Sequence, residues 1–467
     1  MISFILNEQT IQTDLPPGMT LLDFIRYHQH LCGTKIGCRE GDCGACTILA
    51  GKLKSGPQNT AELQYESMTS CLMPLGNANG KHIVTIEGIN FPGRLNMVQE
   101  AMAECGATQC GFCTPGFVMS LAGFCLSDAA PTKDNAIAAV DGNICRCTGY
   151  KSIEKAAGIV AQQLEGKKDA VEFVVKENIL PSYFSSVRER LIAMQAQSQT
   201  VNQKQQAILI GGGTDLYVQR HDEMPEAAVD FLFDHSEMNG IRKEGDECII
   251  GPAVTVSDLR QSAVFNEAFP EFHCFSKLVS STPIRNMATI AGNFVNASPI
   301  GDLTIFFLAL DAQLELKEGE NTRAMALREF YLGYKQINKK PGEYISAVSF
   351  TIPAAGNFFN FEKVSKRTHL DIASVNTAIS IAVKDGVIEK AGLSAGGVGP
   401  IPLYLKMTSS FLSGKEINNE TINGAIDAMK AEISPISDAR GTKEYKTLLL
   451  GQLIRAHFAS YNSREKK

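Results

Sequence analysis

Eight of the thirteen cysteines in this 467-residue chain fall into two groups of four with short, characteristic spacings. The first group follows the pattern C-x4-C-x2-C with a more distant fourth cysteine, which is the plant-type spacing for a [2Fe–2S] cluster. The second group consists of two close pairs on separate segments, so both segments must reach one site. The groups are Cys38, Cys43, Cys46 with Cys71, and Cys110, Cys113 with Cys145, Cys147. We therefore expect two iron–sulfur centres.

Zinc sites and disulfides are the alternative uses of such cysteines. Zinc-binding pairs usually have the spacing C-x2-4-C, which neither C-x4-C-x2-C nor C-x-C fits well, although spacing alone leaves zinc open. Disulfides are disfavoured because residues 1–8 lack the basic stretch and cleavage site of a secretory signal. Reduced thiols and a cytoplasmic location are expected. The remaining cysteines are predicted to be small buried apolar residues; they are Cys32, Cys105, Cys125, Cys248 and Cys274.

Length and charge narrow the classes of protein that this chain can represent. A chain of this length predicts about three domains, and an apolar content of 44% can fill their cores. The net charge of −6 and the pI near 5.9 argue against nucleic acid as a partner. The longest apolar run, residues 303–310, is far shorter than the roughly 20 residues that span a bilayer, so we expect no membrane segment.

The local patterns predict β structure first, helices next and a mixed region last. Residues 4–6 and 10–13 read as a hairpin, and Thr20 with Asp23 resembles a capping box that starts a helix through about His30. Apolar residues at helical spacing follow from about residue 94, and Pro115 suits the first turn of a helix after Cys113. Strand-like residues 378–383, a turn at 385–386 and a further strand predict a mixed α+β C-terminal region.

Two glycine-rich segments further along the chain indicate a ligand site. A short strand pattern at residues 207–210 runs into Gly211, Gly212 and Gly213, whose bare backbone could offer N–H groups to a phosphate. We expect no βαβ helix after this loop, and alone it is a weak signal that also suits a simple turn. Residues 281–303 add a second stretch of small and hydrogen-bonding residues, as a site for a flat polar ligand requires.

These motifs resemble the iron–sulfur and flavin subunits of the molybdenum hydroxylase family, in particular those of bacterial xanthine dehydrogenases. The resemblance rests on five motifs in order: the Cys38–Cys46 loop, the Cys110 and Cys113 pair, the Cys145 and Cys147 pair, the glycine loop, and the segment from Ile284 to Asp302. It implies an α+β multidomain chain. Its parts would be a β-grasp ferredoxin-like domain (1–88), a helical-bundle [2Fe–2S] domain (89–165), a linker (166–178), a two-subdomain FAD-binding domain of the vanillyl-alcohol-oxidase type (179–355) and a C-terminal α+β domain (356–467).

The same resemblance implies roles for individual residues. The two cysteine groups would bind one [2Fe–2S] cluster each, and Gln109 would lie beside the pterin of a molybdenum cofactor in a partner chain. A loop at residues 366–371 would lie near the flavin, where NAD binds. The FAD contacts would be Leu209, Ile210, Gly211, Gly212, Gly213, Thr214, Asp215, Leu216, Thr289, Asn293, Asp302 and Lys363.

The implied function is electron transfer from a molybdenum-containing large subunit, which hydroxylates hypoxanthine or xanthine, through both clusters to FAD and NAD+. Two small and two large subunits would form the complex. The partner could instead act on an aldehyde or another N-heterocycle. A non-catalytic iron–sulfur sensor and a standalone NADH-dependent reductase are further alternatives, disfavoured by the flavin motifs and by the second cysteine group, respectively.

Overall fold

The computed structural model describes residues 1–55, 61–195, 207–233, 235–354, 356–367 and 370–465. These residues form two compact units. The first unit contains Met1–Phe231 and Ser281–Ala288, and the second contains Leu232–Ser280 and Thr289–Lys467. Within the described ranges, no helix is both long and apolar enough to cross a membrane.

Strands and helices are numbered here in chain order. The strands are β1 Ile2–Leu6, β2 Gln9–Thr13, β3 Thr47–Ser55, β4 Ala61–Thr69, β5 His82–Val84, β6 Ile208–Ile210, β7 Val229–Phe231, β8 Ile241–Glu244, β9 Glu247–Ile250, β10 Gln313–Glu318, β11 Asn321–Ala326, β12 Tyr331–Gly333, β13 Gln336–Ile337, β14 Tyr344–Thr351, β15 Phe358–Val364, β16 Val375–Lys384, β17 Val387–Gly396 and β18 Leu403–Tyr404. The α-helices are α1 Leu21–Asp23, α2 Met97–Glu104, α3 Thr114–Cys125, α4 Lys133–Ala139, α5 Lys151–Gln163, α6 Ala170–Lys176, α7 Val187–Gln195, α8 Leu216–Arg220, α9 Val256–Gln261, α10 Ala263–Ala268, α11 Phe272–Phe275, α12 Thr282–Arg285, α13 Ile290–Asn296, α14 Asp302–Ala309, α15 Lys406–Leu412, α16 Asn419–Glu432 and α17 Lys443–Glu465.

The first unit begins with a mixed five-stranded sheet in the order β2-β1-β5-β3-β4. Strands β1 and β2 form the predicted antiparallel hairpin, and β1 pairs in parallel with β5, as in a β-grasp fold. Thr20 is the N-cap of α1 as predicted, because its hydroxyl accepts a hydrogen bond from the Asp23 N–H at 3.2 Å. The Asp23 carboxylate accepts from the Thr20 hydroxyl at 2.8 Å rather than from the Thr20 N–H, so only this half of the predicted capping box forms. Helix α1 continues as a π-helical turn, Phe24–His28, which leads toward the first cysteine loop.

Four helices, α2 to α5, follow the sheet and share a hydrophobic core with it. Asn96 caps α2 through a complete capping box, and Pro115 lies in the first turn of α3 as predicted. The core contains sheet residues such as Leu49 and helical residues such as Phe117, all buried. Residues 166–178, predicted to be a linker, include α6, whose Val174 is buried in this core.

The glycine loop at residues 211–213 connects β6 to α8, and β7 then pairs in parallel with β6. This is a short strand–helix–strand crossover, so the expectation that no helix follows the loop was wrong. The helix has only five residues, Leu216–Arg220, and one turn of helix is too short for apolar periodicity to reveal.

The second unit contains a five-stranded sheet, β11-β10-β14-β9-β8, and a four-stranded sheet, β15-β16-β17-β18. The predicted hairpin of β16 and β17 turns at Asp385 and Gly386, both with positive φ. Helices α15 to α17 bury residues such as Leu412, Met429 and Phe458 in the core that covers the four-stranded sheet. The α+β multidomain class predicted from sequence is confirmed.

Candidate functional site: two thiol quartets and a glycine loop

The loop between the first helix and β3 supplies Cys38, Cys43 and Cys46, and the segment after β4 supplies Cys71. The Cys38 N–H points at the Cys43 sulfur at 3.4 Å, and the Cys43 N–H points back at the Cys38 sulfur at 3.4 Å. Cys46 and Cys71 are both buried, and their thiols are hydrogen-bonded to each other. Cys38 also interacts electrostatically with Cys46 and with Cys71. The four sulfurs therefore form two adjoining pairs.

Backbone N–H groups surround the Cys38 sulfur. The hydrogen bond with the Cys43 thiol, followed by backbone hydrogen bonds from Glu40 and Cys43, lowers the pKa of Cys38 to about 5. The Glu40 N–H contributes at 3.3 Å from the sulfur. This environment favours the thiolate, the form of cysteine that binds metals.

Glycine is required at particular points of this loop. Gly41 and Gly44 have φ angles of +78° and +66°, in the left-handed region that glycine adopts without strain. A Cβ at Gly37 would lie 2.4 Å from the Cys43 sulfur. Gly37 directly precedes Cys38, the first cysteine of this quartet.

The second quartet joins the start of α3 to the segment before α5. The sulfurs of Cys110 and Cys147 are 3.6 Å apart, and the Cys113 thiol is hydrogen-bonded to Cys145. Electrostatic interactions also connect Cys110 with Cys113 and Cys145 with Cys147. Cys110 and Cys147 are exposed, as is Gln109. This quartet also forms two adjoining pairs, and one of the pairs faces solvent.

Tyr150 supports the second quartet from the end of its loop. The Tyr150 hydroxyl accepts a hydrogen bond from the Cys145 N–H at 3.1 Å. Its φ angle is +70°, which is rare for a bulky residue and costs energy. The contact with Cys145 gives a reason for this strained conformation, which the sequence did not indicate.

The other cysteines divide by exposure. Cys125 and Cys248 are buried as predicted, and Cys105 is half-buried. Cys32 and Cys274 are exposed, so the expectation that they are buried was wrong. Cys32 lies in an irregular segment before the first cysteine loop, and Cys274 lies on the short helix α11. In the part of the chain that the structure describes, no three or more His, Cys, Asp or Glu side chains are grouped to hold one metal ion. The quartet thiols meet in pairs instead.

The glycine loop after β6 is closely packed within the first unit. A Cβ at Gly212 would lie 1.7 Å from the Met287 carbonyl oxygen, and Gly213 has a φ of +84°. The Gly211 carbonyl accepts a hydrogen bond from the Asn77 side chain at 3.0 Å. All the predicted flavin contacts from Leu209 to Leu216 lie on β6, on this loop or at the start of α8. Glycine is therefore required at positions 212 and 213.

The remaining predicted flavin contacts belong to the second unit. Thr289 caps α13, and Asn293 one turn later accepts hydrogen bonds from the N–H and the hydroxyl of Thr304. Asp302 begins α14 and forms a salt bridge with Lys363 at 2.6 Å. The Lys363 side chain is only 1% exposed and also donates to the Leu278 carbonyl at 2.6 Å.

Asn376 also belongs to this group, although no sequence motif indicated it. Its side-chain NH2 donates to Asp302 at 2.6 Å, while its buried Oδ1 has no hydrogen-bond partner among the described residues. A buried acceptor without a partner is costly and suits a ligand that can donate a hydrogen bond. The available signal was an asparagine inside a strand, where its propensity is low.

The loop at residues 366–371, predicted to lie near the flavin, is described in part. Lys366 donates to the Ala439 carbonyl at 2.8 Å, and the Arg367 N–H donates to Asp371 at 2.8 Å. Thr368 and His369 lie outside the described residues. Asp371 thus orders the backbone at the start of this loop.

Four sequence profiles of known domains match the chain in succession. They are the 2Fe-2S iron-sulfur cluster binding domain at residues 4–76, the [2Fe-2S] binding domain at 85–158, the FAD binding domain in molybdopterin dehydrogenase at 189–355, and the CO dehydrogenase flavoprotein C-terminal domain at 361–460. Each cysteine quartet lies within one of the two [2Fe–2S] matches. Two iron–sulfur domains and one FAD-binding domain are therefore present.

Similar proteins include larger oxidoreductases. Xanthine dehydrogenase of Emericella nidulans is 28% identical over 93% of this chain, and aldehyde oxidase of Homo sapiens is 25% identical over 96%. The chain spans only 36% and 38% of the length of these two relatives.

Solved structures of CO dehydrogenase are similar to part of the chain. A chain of the reconstituted enzyme from Oligotropha carboxidovorans is 28% identical, with a TM-score of 0.50. One from Hydrogenophaga pseudoflava is 25% identical, with the same TM-score. Each match covers 54% of this chain and 88% of the solved chain.

Proposed function

We propose that this chain, whose domains are those of the iron–sulfur and flavin subunit of the molybdenum hydroxylase family, transfers electrons in a cytoplasmic xanthine dehydrogenase. A separate large subunit with a molybdenum cofactor would hydroxylate hypoxanthine or xanthine. Electrons would then pass through both clusters of this chain to FAD and to NAD+. Two copies of each subunit would form the complex. Similarity to xanthine dehydrogenases over more than nine-tenths of the chain supports this choice.

The observation that carries the proposal is the pairing of thiols in both quartets. A [2Fe–2S] cluster has two irons and takes four cysteine thiolates, so two adjoining pairs suit it. In the first quartet the pairs are Cys38 with Cys43 and Cys46 with Cys71. In the second they are Cys110 with Cys147 and Cys113 with Cys145. Thiol chemistry and N–H groups near the sulfurs also suit a cluster.

The polypeptide would position the redox groups. A [2Fe–2S] cluster supplies one-electron transfer, and FAD connects it to the two-electron hydride chemistry of NAD. The loop from Leu209 to Leu216 would hold the FAD pyrophosphate through its backbone N–H groups. Gly212 lets this loop pack closely against the Met287 carbonyl. The other proposed flavin contacts are Thr289, Asn293, Asp302 and Lys363, and the buried oxygen of Asn376 could accept a further hydrogen bond from the ligand. Exposed Gln109 would face the molybdenum subunit.

Another molybdenum hydroxylase is the second candidate. The match to the CO dehydrogenase flavoprotein C-terminal domain favours it, as do the CO dehydrogenase and aldehyde oxidase relatives. Co-purification from the native source, followed by iron, molybdenum and flavin analysis, tests the family. NAD+ reduction with xanthine, an aldehyde or CO then tests the substrate. Activity with an aldehyde or CO but not with xanthine would replace the first candidate by the second.

Replacing Cys113 with serine tests the cluster assignment directly. The reduced variant should lose one of two [2Fe–2S] signals in electron paramagnetic resonance and keep the other, because the two quartets are separate ligand sets. Cys105→Ser is the matched control, since Cys105 is half-buried in the same helical region but belongs to neither quartet. The control should keep both signals. Retention of both signals in Cys113→Ser would contradict the assignment.

A further inference from the structure

Asn143 is a buried side chain between the two cysteine quartets. It is 6% exposed and lies two residues before Cys145. Its side-chain NH2 donates to the carbonyl of Gly44 at 3.0 Å and to the Thr47 hydroxyl at 3.4 Å. Gly44 lies between Cys43 and Cys46 of the first quartet. One amide therefore connects the segment that enters the second quartet to the loop of the first.

The hydrogen bonds of Asn143 fix the orientation of its amide. The Asn143 Oδ1 accepts a hydrogen bond from the buried hydroxyl of Ser120 at 2.7 Å, which holds the NH2 group toward Gly44. The Thr47 hydroxyl donates to the same Gly44 carbonyl at 2.7 Å. Such a buried and satisfied network is rigid.

A backbone contact beside Asn143 joins the two quartets. The Ile144 N–H donates to the Cys43 carbonyl at 3.0 Å, and Ile144 directly precedes Cys145. The Cys43 and Cys145 sulfurs are therefore connected through covalent bonds of the two segments and this single hydrogen bond. The two segments pack tightly against each other at this point. A Cβ at Gly44 would lie 2.3 Å from the Gly142 carbonyl oxygen and 2.5 Å from the Asn143 Nδ2.

We propose that Asn143 is a positioning residue that holds the Ile144–Cys43 hydrogen bond in place and thereby sets the coupling between the two iron–sulfur clusters. The inference rests on the clusters of the proposed function. Electron exchange between redox centres falls steeply with distance, so a small retreat of one segment weakens it. Asn143 contacts none of the quartet sulfurs in the hydrogen bonds described above, so the potential of each cluster should depend on it much less than their coupling does.

The test compares Asn143→Ala with the wild-type protein, both carrying their clusters and fully reduced. In wild-type protein, the two paramagnetic clusters should split or broaden each other's resonance signals at low temperature. In Asn143→Ala, both signals should remain while this mutual splitting shrinks or disappears. Electron transfer between the clusters should slow severalfold in rapid-freeze experiments. Midpoint potentials should stay close to wild type.

Asn96→Ala is the matched control. Asn96 is also a buried asparagine of the helical region, and its NH2 donates at 2.9 Å to the carbonyl of Ile89, which belongs to neither cysteine loop. This variant should lose stability but keep the splitting. If Asn143→Ala does not assemble its clusters, Ser120→Ala is the deciding variant. It removes the hydrogen bond that orients the Asn143 amide but keeps the amide itself, so it should reduce the splitting partly.

Different outcomes contradict the inference and the proposed function. Absence of two [2Fe–2S] signals from the wild-type protein would overturn the proposed function. Two wild-type signals with no mutual interaction would overturn the inference alone. So would a splitting that is unchanged in Asn143→Ala or, where that variant does not assemble, in Ser120→Ala.

Discussion

At the scale of single residues, His457 predicts how stability depends on pH. Its imidazole is fully buried in α17, where Nδ1 lies 2.9 Å from the Asn360 NH2. Burial lowers the pKa of His457 to about 3, from 6.5 when exposed. Because the unfolded chain then binds a proton that the folded chain excludes, stability falls as pH decreases below 6.5, by up to about 1.4 kcal/mol per pH unit.

Replacing His457 with glutamine should flatten this dependence. Urea unfolding at about pH 7 and about pH 5 measures it, and wild-type protein should lose more stability than the variant between the two values. His273→Gln is the control, because His273 is exposed. An equal loss in wild type and in His457→Gln would show that His457 does not carry the effect.

Functional residues that form a motif along the sequence were predictable. Residues that act only through contacts with distant parts of the chain were not. The cysteines were recognisable because their spacing is a property of the chain itself, and the thiols of each quartet meet in pairs. Asn376 and Asn143 gave no comparable signal, since each acts on partners far away in sequence: Asp302 lies 74 residues from Asn376, and Gly44 lies 99 residues from Asn143. Such pairings are fixed by packing rather than by spacing.

At the scale of elements, two helical glycines predict opposite effects of the same substitution. A Cβ at Gly116 in α3 would lie 2.2 Å from the Gly44 carbonyl oxygen, whereas a Cβ at Gly158 in α5 would meet only the flexible Lys133 side chain at 3.5 Å. Gly158→Ala should therefore stabilise the protein by about 1 kcal/mol. Gly116→Ala should destabilise it by about 1–3 kcal/mol through overpacking against the first cysteine loop.

Thermal unfolding of both variants measures this difference, with Gly158→Ala as the control for helix propensity. Loss of visible absorbance from the clusters should accompany Gly116→Ala only. Equal stabilisation by both substitutions would mean that α3 and the cysteine loop are not in close contact.

Long or well-capped elements were predictable, and very short ones were not. The hairpin of β1 and β2, the start of α3 and the hairpin of β16 and β17 all followed from turn and capping residues. Helix α8 was missed because a single turn lacks a repeat. Helix α6 lies in a stretch predicted to be a linker, since a change of composition indicates a boundary but not whether the boundary is helical.

At the scale of the whole molecule, a buried ion pair holds a distant segment in the first unit. Arg285 and Asp141 form a salt bridge at 2.6 Å, with side chains 2% and 5% exposed. Asp141 also accepts a hydrogen bond from the Thr282 N–H at 2.7 Å. Arg285→Met would leave a buried carboxylate without its cation and should cost about 3–5 kcal/mol.

Thermal or urea unfolding of the intact chain measures this cost. Arg242→Met is the control, because Arg242 pairs with Glu244 at the surface and should change stability by less than about 0.5 kcal/mol. Similar effects of both substitutions would contradict a special role for the Arg285 pair. The sequence did not predict this pair, because its partners are 144 residues apart.

The placement of Ser281–Ala288 in the first unit affects how this protein can be taken apart. These eight residues lie inside the stretch that matches the FAD-binding domain, 189–355, yet pack with the iron–sulfur part of the chain. A fragment ending before residue 189 would expose Asp141 and Gly142 to water, where Arg285 and Pro283 now cover them. In a chimaera of two related proteins joined at the borders of the matched domains, residues 281–288 would come from one parent. The iron–sulfur part against which they pack would come from the other. Such chimaeras should therefore take Ser281–Ala288 from the same parent protein as the iron–sulfur domains.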